Sequence, residues 1–193
     1  MIAESIRTVA RHYKEGNLNW PMIIYIGLAH AAALIGLFTV TKCHPYTLLW
    51  AFILWPITGI GITGGVHRLW SHRSYKASFP LRVYLMLSNS IANQGSIWHW
   101  ARDHRVHHKH SETHADPHNA TRGFFFSHMG WLFVKKHPDI ITAGKKLNFD
   151  DLAADSTVVS ALEIVFDLLF SFFFVPTILT VHHHIIPGIS KEP

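Results

Sequence analysis

The feature that most limits how this chain can fold is a pair of long apolar blocks joined by a short polar stretch. Trp20 to Val40 is almost wholly apolar, and at ~1.5 Å of rise per helical residue it is long enough to cross ~30 Å of hydrocarbon. Thr41-Lys42-Cys43-His44-Pro45 follows, after which Tyr46 to Val66 is apolar again. This layout predicts a transmembrane helical hairpin over 20–66. Gly59, Gly61, Gly64 and Gly65 in its second arm supply the small residues that let membrane helices approach closely.

The flanks predict orientation. Arg7, Arg11 and Lys14 precede the hairpin and Arg68, Arg73 and Lys76 follow it, against Lys42 alone in the turn, so the positive-inside rule puts both ends in the cytosol. The charges before Trp20 are not laid out as a cleavable signal peptide, and the first block is expected to stay in the protein. Leu81 to Ile97 is apolar but broken by Arg82, Ser88, Asn89, Ser90, Asn93 and Gln94, which predicts a helix at the membrane interface or against the bundle. Both sides of that helix then stay in the cytosol. A last apolar block, Val158 to Ile186, predicts a third membrane helix despite Glu163, Asp167 and Pro176. The expected organisation is all-α: a cytosolic lead-in over 1–19, the hairpin over 20–66, a cytosolic histidine-rich cap over 67–155, and the third transmembrane helix with a tail over 156–193.

Composition excludes some classes. A formal net charge of +5 in 193 residues is too small to argue for nucleic acid, and no aromatic-basic RNA-binding module is present. The single cysteine, Cys43, permits no internal disulfide, and there is no CxxC pair to suggest zinc or redox chemistry.

Where the second apolar block ends, the chemistry begins. His67-Arg68-Leu69-Trp70-Ser71-His72 is an HxxxxH box, and His104-Arg105-Val106-His107-His108 is an HxxHH box. Imidazole is the commonest side-chain metal ligand. On a helix, His104, His107 and His108 share one face, since i, i+3 and i+4 are neighbours. The i, i+5 spacing of the first box is not a single-face α-helical pair, so a helix end or a bend at Ser71 is expected to bring His67 and His72 together. Patterned histidines beside apolar segments point to a metal centre. His110, His114, His118, His128 and His137 lack such spacing and are read as ordinary histidines.

The boxes sit inside longer wording: Gly64-Gly65-Val66 before the first, Arg73-Ser74-Tyr75-Lys76-Ala77 after it, Trp100-Ala101-Arg102-Asp103 before the second, and Glu112-Thr113-His114-Ala115-Asp116-Pro117-His118 beyond. This wording resembles the membrane acyl-CoA desaturases, and the animal stearoyl-CoA (delta-9) branch in particular, over roughly Asn19 to Ala154. The resemblance implies a diiron centre, dioxygen as oxidant, a saturated acyl-CoA as substrate, cytochrome b5 as electron donor, and an endoplasmic reticulum membrane location. It implies His67, His72, His104, His107 and His108 as iron ligands. It places Gln94 and Trp100 at the bend of an acyl tunnel, Arg102 and Asp103 at the thioester and coenzyme A side, and Lys135 and Lys136 at the coenzyme A phosphates. Gly95 and Met22 stand where close relatives carry polar amides.

The choice of iron rests on this resemblance, because histidine spacing alone also admits zinc. Alkyl C–H bonds offer no acidic proton, so acid-base side chains alone have nothing to work on, and a metal is required. Five histidines fall short of the about eight ligands that two four-coordinate ions need. The family draws the remainder from a further helix and a third box. Leu179-Thr180-Val181-His182-His183 lacks a ligand at its first position, and a third span would carry His182 to His184 to the opposite face of the membrane. The resemblance therefore implies a delta-9 desaturase apparently truncated before its third box. The rival expectation is a truncated, non-catalytic relative that binds metal or acyl-CoA, or pairs with a complete desaturase.

Overall fold

The structure is a computed structural model and describes residues 10–159. These residues are helical and contain no strand, apart from one isolated antiparallel bridge between Leu18 and Val134. Helix α1 spans Trp20–Thr39 and runs into a 3-10 turn, Val40–Lys42. Helix α2 spans Pro45–Ile60 and continues without a break into a π-helical segment, Gly61–Ser71. Then come α3 (Phe79–Ala92), α4 (Ile97–His110), α5 (Phe124–His128), α6 (Pro138–Lys145) and α7 (Asp150–Ala154). The expected third membrane helix and His182 to His184 lie outside the described residues.

Two stretches, Trp20–Lys42 with 23 residues and Pro45–Ser71 with 27, are long and apolar enough to cross a membrane. Their polar side chains bond back to their own helix. His30 Nδ1 lies 2.8 Å from the Ile26 carbonyl, and the hydroxyls of Thr39, Thr58 and Thr63 donate to the carbonyls of Ile35, Leu54 and Gly59. That is how such groups are satisfied where no water reaches them. Proline at the first turn of each helix sits where its missing N–H is no loss. None of the residues of α1 is buried by protein.

The described residues pack as two compact units, with the division inside α4 between Arg105 and Val106. One unit holds residues 41–105 and 148–159. Its core is Val66 and Trp70 of the π segment, Leu85 and Met86 of α3, Ile97 and Ala101 of α4, Leu152 of α7, and Val158. The expectation for Leu81 to Ile97 is refined here. The α-helix ends at Asn93, which adopts a left-handed conformation, and Ile97 opens the next helix. The polar residues that break the apolar run turn inward: Ser88, Asn89 and Ser90 are buried. Ser88 and Asn89 face Gly61, where an added Cβ would lie 2.5 Å from their backbone. Of the four glycines expected to permit close approach, Gly61 does so most strongly, Gly65 meets Trp70 and Leu85, and Gly59 faces open space.

The other unit holds residues 10–40 and 106–147. It has a small core of Val106, Ile140 and Ala143. The start of α1 is tied to the segment after α5: Asn19 donates its backbone N–H to the Phe133 carbonyl at 2.9 Å and its side-chain amide to the Leu132 carbonyl at 3.2 Å.

Candidate metal centre

Of the two expected devices, a helix end or a bend at Ser71, the structure shows the helix end: the segment closes at Ser71 and His72 is its C-cap. The HxxxxH box lies on the π-helical segment, whose hydrogen bonds run from i to i+5: the His72 N–H donates to the His67 carbonyl at 3.0 Å, and the Ser71 hydroxyl donates to the Val66 carbonyl. The wider turn puts residues five apart nearly above one another. An α-helix would have pointed them to different faces, which is why α-helical spacing alone called for a helix end or a bend. The consequence is a short approach of 3.1 Å between His67 Nε2 and His72 Nε2.

His104, on α4, completes a cluster. Its Nε2 also lies 3.1 Å from His72 Nε2. The three rings stand nearly perpendicular to one another, at 77–85° with centroids 4.6–5.1 Å apart. A single ring nitrogen carries either one proton or one lone pair, so His72 Nε2 can align a hydrogen bond with one of these two neighbours but not both. A cation at the point of convergence resolves that conflict. Two nitrogens each ~2.1 Å from an ion are roughly 3.0 Å apart at a right angle and roughly 3.4 Å apart in a tetrahedron. The observed spacing therefore fits a shared transition-metal ion. One helical turn beyond His104, His108 repeats its position on α4.

His107 does something else. Its Nδ1 donates to Asp116 at 2.7 Å, and its ring lies 5.3 Å from that of His118, which in turn meets Trp131 edge-on at 4.3 Å. The buried Asp116 carboxylate also accepts the backbone N–H groups of Glu112 and His118, each at 2.8 Å. Burial pushes this carboxyl up, but the bonds from His107 and the two amides outweigh burial and hold it below its ordinary value. It therefore stays ionised and accepts the Nδ1 proton of His107, which points the Nε2 side of the ring away from Asp116. Carboxylates orient metal-binding histidines in this way. By position on α4 all three histidines of the second box lie toward one face, and the ring of His107 turns to Asp116.

Arg105, between the box histidines, ties the π segment to α4 and α7. It donates to the carbonyls of Trp70 and Ser71, which end the π segment, to the Asn148 carbonyl, and to both oxygens of Asp151. Trp70 donates its indole N–H to Asp155 at 3.1 Å. Neither Arg105 nor Asp116 carries a local sequence signal; their partners are set by tertiary contact.

The other expected site residues fall into three places. Trp100 stacks on His104 at 4.7 Å and donates its indole N–H to Gln94 Oε1 at 3.2 Å, so these two stand beside the cluster. Arg102 pairs with its neighbour Asp103 at 3.0 Å. Lys135 and Lys136 line a cavity of about 140 Å³ within the unit of residues 10–40 and 106–147, together with Arg122, His12 and Trp131. Burial, then the charge of Arg122, holds His12 below its ordinary value there.

No family model matches the chain. Among curated proteins it is 54% identical over 152 residues to stearoyl-CoA desaturase 5 of Bos taurus, covering 79% of this chain and 45% of that protein. It is 54% identical over 159 residues to an acyl-CoA desaturase of Cyprinus carpio, covering 82% and 49%. It is 52% identical over 165 residues to an acyl-CoA delta-9 desaturase of Acheta domesticus, covering 84% and 46%. The chain spans about half the length of the curated relatives it matches. Identity of this order over most of the chain establishes that the chain belongs to the acyl-CoA delta-9 desaturase family.

Proposed function

We propose that the chain serves oxygen-dependent desaturation of a saturated fatty acyl-CoA, introducing a cis double bond at the delta-9 position. The observation that carries this is the convergence of His67, His72 and His104 at 3.1 Å steps in a chain about 54% identical to named desaturases. Iron, when bound, supplies the oxidising power needed to remove two hydrogens from an unactivated methylene pair. His67, His72 and His104 would hold one iron, and the resemblance assigns His108 as a further iron ligand. His107, whose Nδ1 donates to Asp116, would offer Nε2 to a second iron.

The remaining assignments follow the same reading. Trp100, braced by Gln94, forms an apolar wall against the cluster and would set where the acyl chain bends. Arg102 and Asp103 would meet the thioester and coenzyme A side. Lys135 and Lys136, with Arg122 beside them, would meet coenzyme A phosphates, since cationic side chains around one cavity favour an anion. In this reading α1 and α2 are each membrane spans, α3 lies at the interface or against its bundle, and residues 67–155 form a cytosolic histidine-rich cap. Two apolar helices are compatible with membrane insertion. The endoplasmic reticulum, the cytosolic side for the boxes and cytochrome b5 as electron donor belong to this proposal.

Expression in cells lacking a desaturase, followed by fatty-acid profile and bound iron, tests it. Delta-9 unsaturated chains together with bound iron are the expected result. Iron without unsaturation would favour the non-catalytic relative, and absence of both would overturn the metal-centre reading.

A further inference from the structure

At the start of α1, four aromatic side chains are exposed on one unit of the protein. Tyr13 and Trp20 meet edge-on at 6.3 Å and are 64% and 52% exposed. Phe124 and Phe125 of α5 are 82% and 63% exposed. Phe125 is not loose: its ring covers Gly130, where an added Cβ would lie 3.1 Å away, and it sits 6.1 Å from Phe133. Phe133 is the residue whose carbonyl holds Asn19, immediately before α1. The aromatic pairs are therefore anchored to the same end of α1. The third phenylalanine of the run, Phe126, is used inside, with the Arg122 guanidinium 3.4 Å above its ring and both lining the cavity.

Exposed aromatics held by packing need a solvent that accepts them, and the bilayer interface is the medium in which such rings are enriched. The charge of the unit agrees: Arg11, Lys14, Lys109, Arg122, Lys135, Lys145 and Lys146 are exposed in it, against Glu15, Glu112 and Asp139. Cations beside an aromatic surface complement phospholipid phosphate. We propose that Tyr13, Trp20, Phe124 and Phe125 form an aromatic collar seated in the phospholipid interface of the leaflet where α1 begins. It holds α5 and the segment that follows it against the membrane. This rests on the reading of α1 as a membrane span and adds a second, non-spanning contact to it. The collar fixes the height of the Lys135 and Lys136 cavity above the lipid, because Lys135 and Asn17 are joined by a 2.7 Å backbone hydrogen bond beside the same anchor.

The test uses the full chain in nanodiscs of phosphatidylcholine and phosphatidylserine, with Cys43→Ser and single spin-labelled cysteines. Leu28→Cys marks α1, Asp139→Cys marks exposed α6, and Phe124→Cys reports the collar. Collision with oxygen relative to a water-soluble nickel chelate is expected to be severalfold higher at 124 than at 139, with 28 higher still. A value at 124 equal to that at 139 overturns the collar, and low collision with both quenchers at 124 overturns it in favour of a covering protein. A water-like value at position 28 would instead overturn α1 as a span. Phe124→Trp in the otherwise native chain gives a second reading: brominated phospholipid is expected to quench the added fluorescence, and no quenching counts against the collar.

Discussion

Arg105 holds both oxygens of Asp151, at 2.9 and 2.6 Å, while its remaining reach ends the π segment on the carbonyls of Trp70 and Ser71. The first histidine box depends on that segment keeping its π-helical register, and the second box flanks Arg105 itself. Arg105→Ala removes charge-assisted hydrogen bonds from a side chain that is only 11% exposed, and about 2 kcal/mol of stability is expected to be lost. As a positioning residue for His67, His72 and His104 it is also expected to weaken metal binding by about 10- to 100-fold. Thermal unfolding and cobalt titration of the same preparation check both. Lower stability with unchanged cobalt affinity would mean that Arg105 braces the fold without setting the cluster.

Asp151 gives this pairing a pH dependence. Burial pushes its carboxyl up, but the hydrogen bonds from Arg105, then the charges of Arg105 and Arg73, bring it below the ordinary carboxylate value. A depressed folded value means that the contribution is complete above the unfolded value of about 4 and is lost as pH falls through the folded one. The difference in melting temperature between the parent chain and Asp151→Asn is expected to be constant around neutrality and to shrink below about pH 4. A difference that grows on acidification would assign the stabilisation to another group.

Gly61 and Gly59 lie two residues apart and are expected to respond oppositely to a methyl group. At Gly61 the added Cβ meets the backbone of Ser88 and Asn89 at 2.5 Å, so α3 must move, and Gly61→Ala is expected to cost about 1–3 kcal/mol. At Gly59 nothing lies within 4 Å, and Gly59→Ala is expected to be neutral or slightly stabilising. Unfolding in detergent or nanodiscs separates the two. Equal tolerance would show that α3 does not press on the π segment in the membrane.

The sequence showed the long apolar helices, both boxes and the family, because each is written in local pattern: block length, spacing and wording. It did not show how His67 meets His72, since α-helical spacing separates residues five apart and a π-helical stretch this long is rare. Ser88, Asn89 and Ser90 left two placements open, at the interface or against the bundle, and the structure takes the second. Polar residues in an apolar run do not choose between these, and the approach of Ser88 and Asn89 to Gly61 is visible only once α3 is packed. Asn119-Ala120-Thr121 is a formal glycosylation triplet, and the topology predicts that it stays unmodified. Yet Asn119 is 5% exposed, its amide donates to the Thr113 carbonyl and its oxygen accepts from Thr121. Its lack of a glycan would therefore not report the side of the membrane.

The two kinds of box histidine can be told apart by metal content. His72 Nε2 is the nitrogen shared by both 3.1 Å contacts, so His72→Ala leaves His67 and His104 without the ring between them and is expected to abolish the cobalt absorption of the cluster. His107 instead has its Nδ1 on Asp116, so His107→Ala is expected to leave that absorption unchanged while removing metal from a second, separately titrating site. Asp116→Asn should weaken the second site by about 10- to 100-fold, because an amide no longer orients His107 as the carboxylate does. His118→Ala should change neither, since it is the backbone N–H of His118, retained in alanine, that bonds Asp116. Loss of the same absorption band in His72→Ala and His107→Ala would place both rings on one ion and refute the division of the second box.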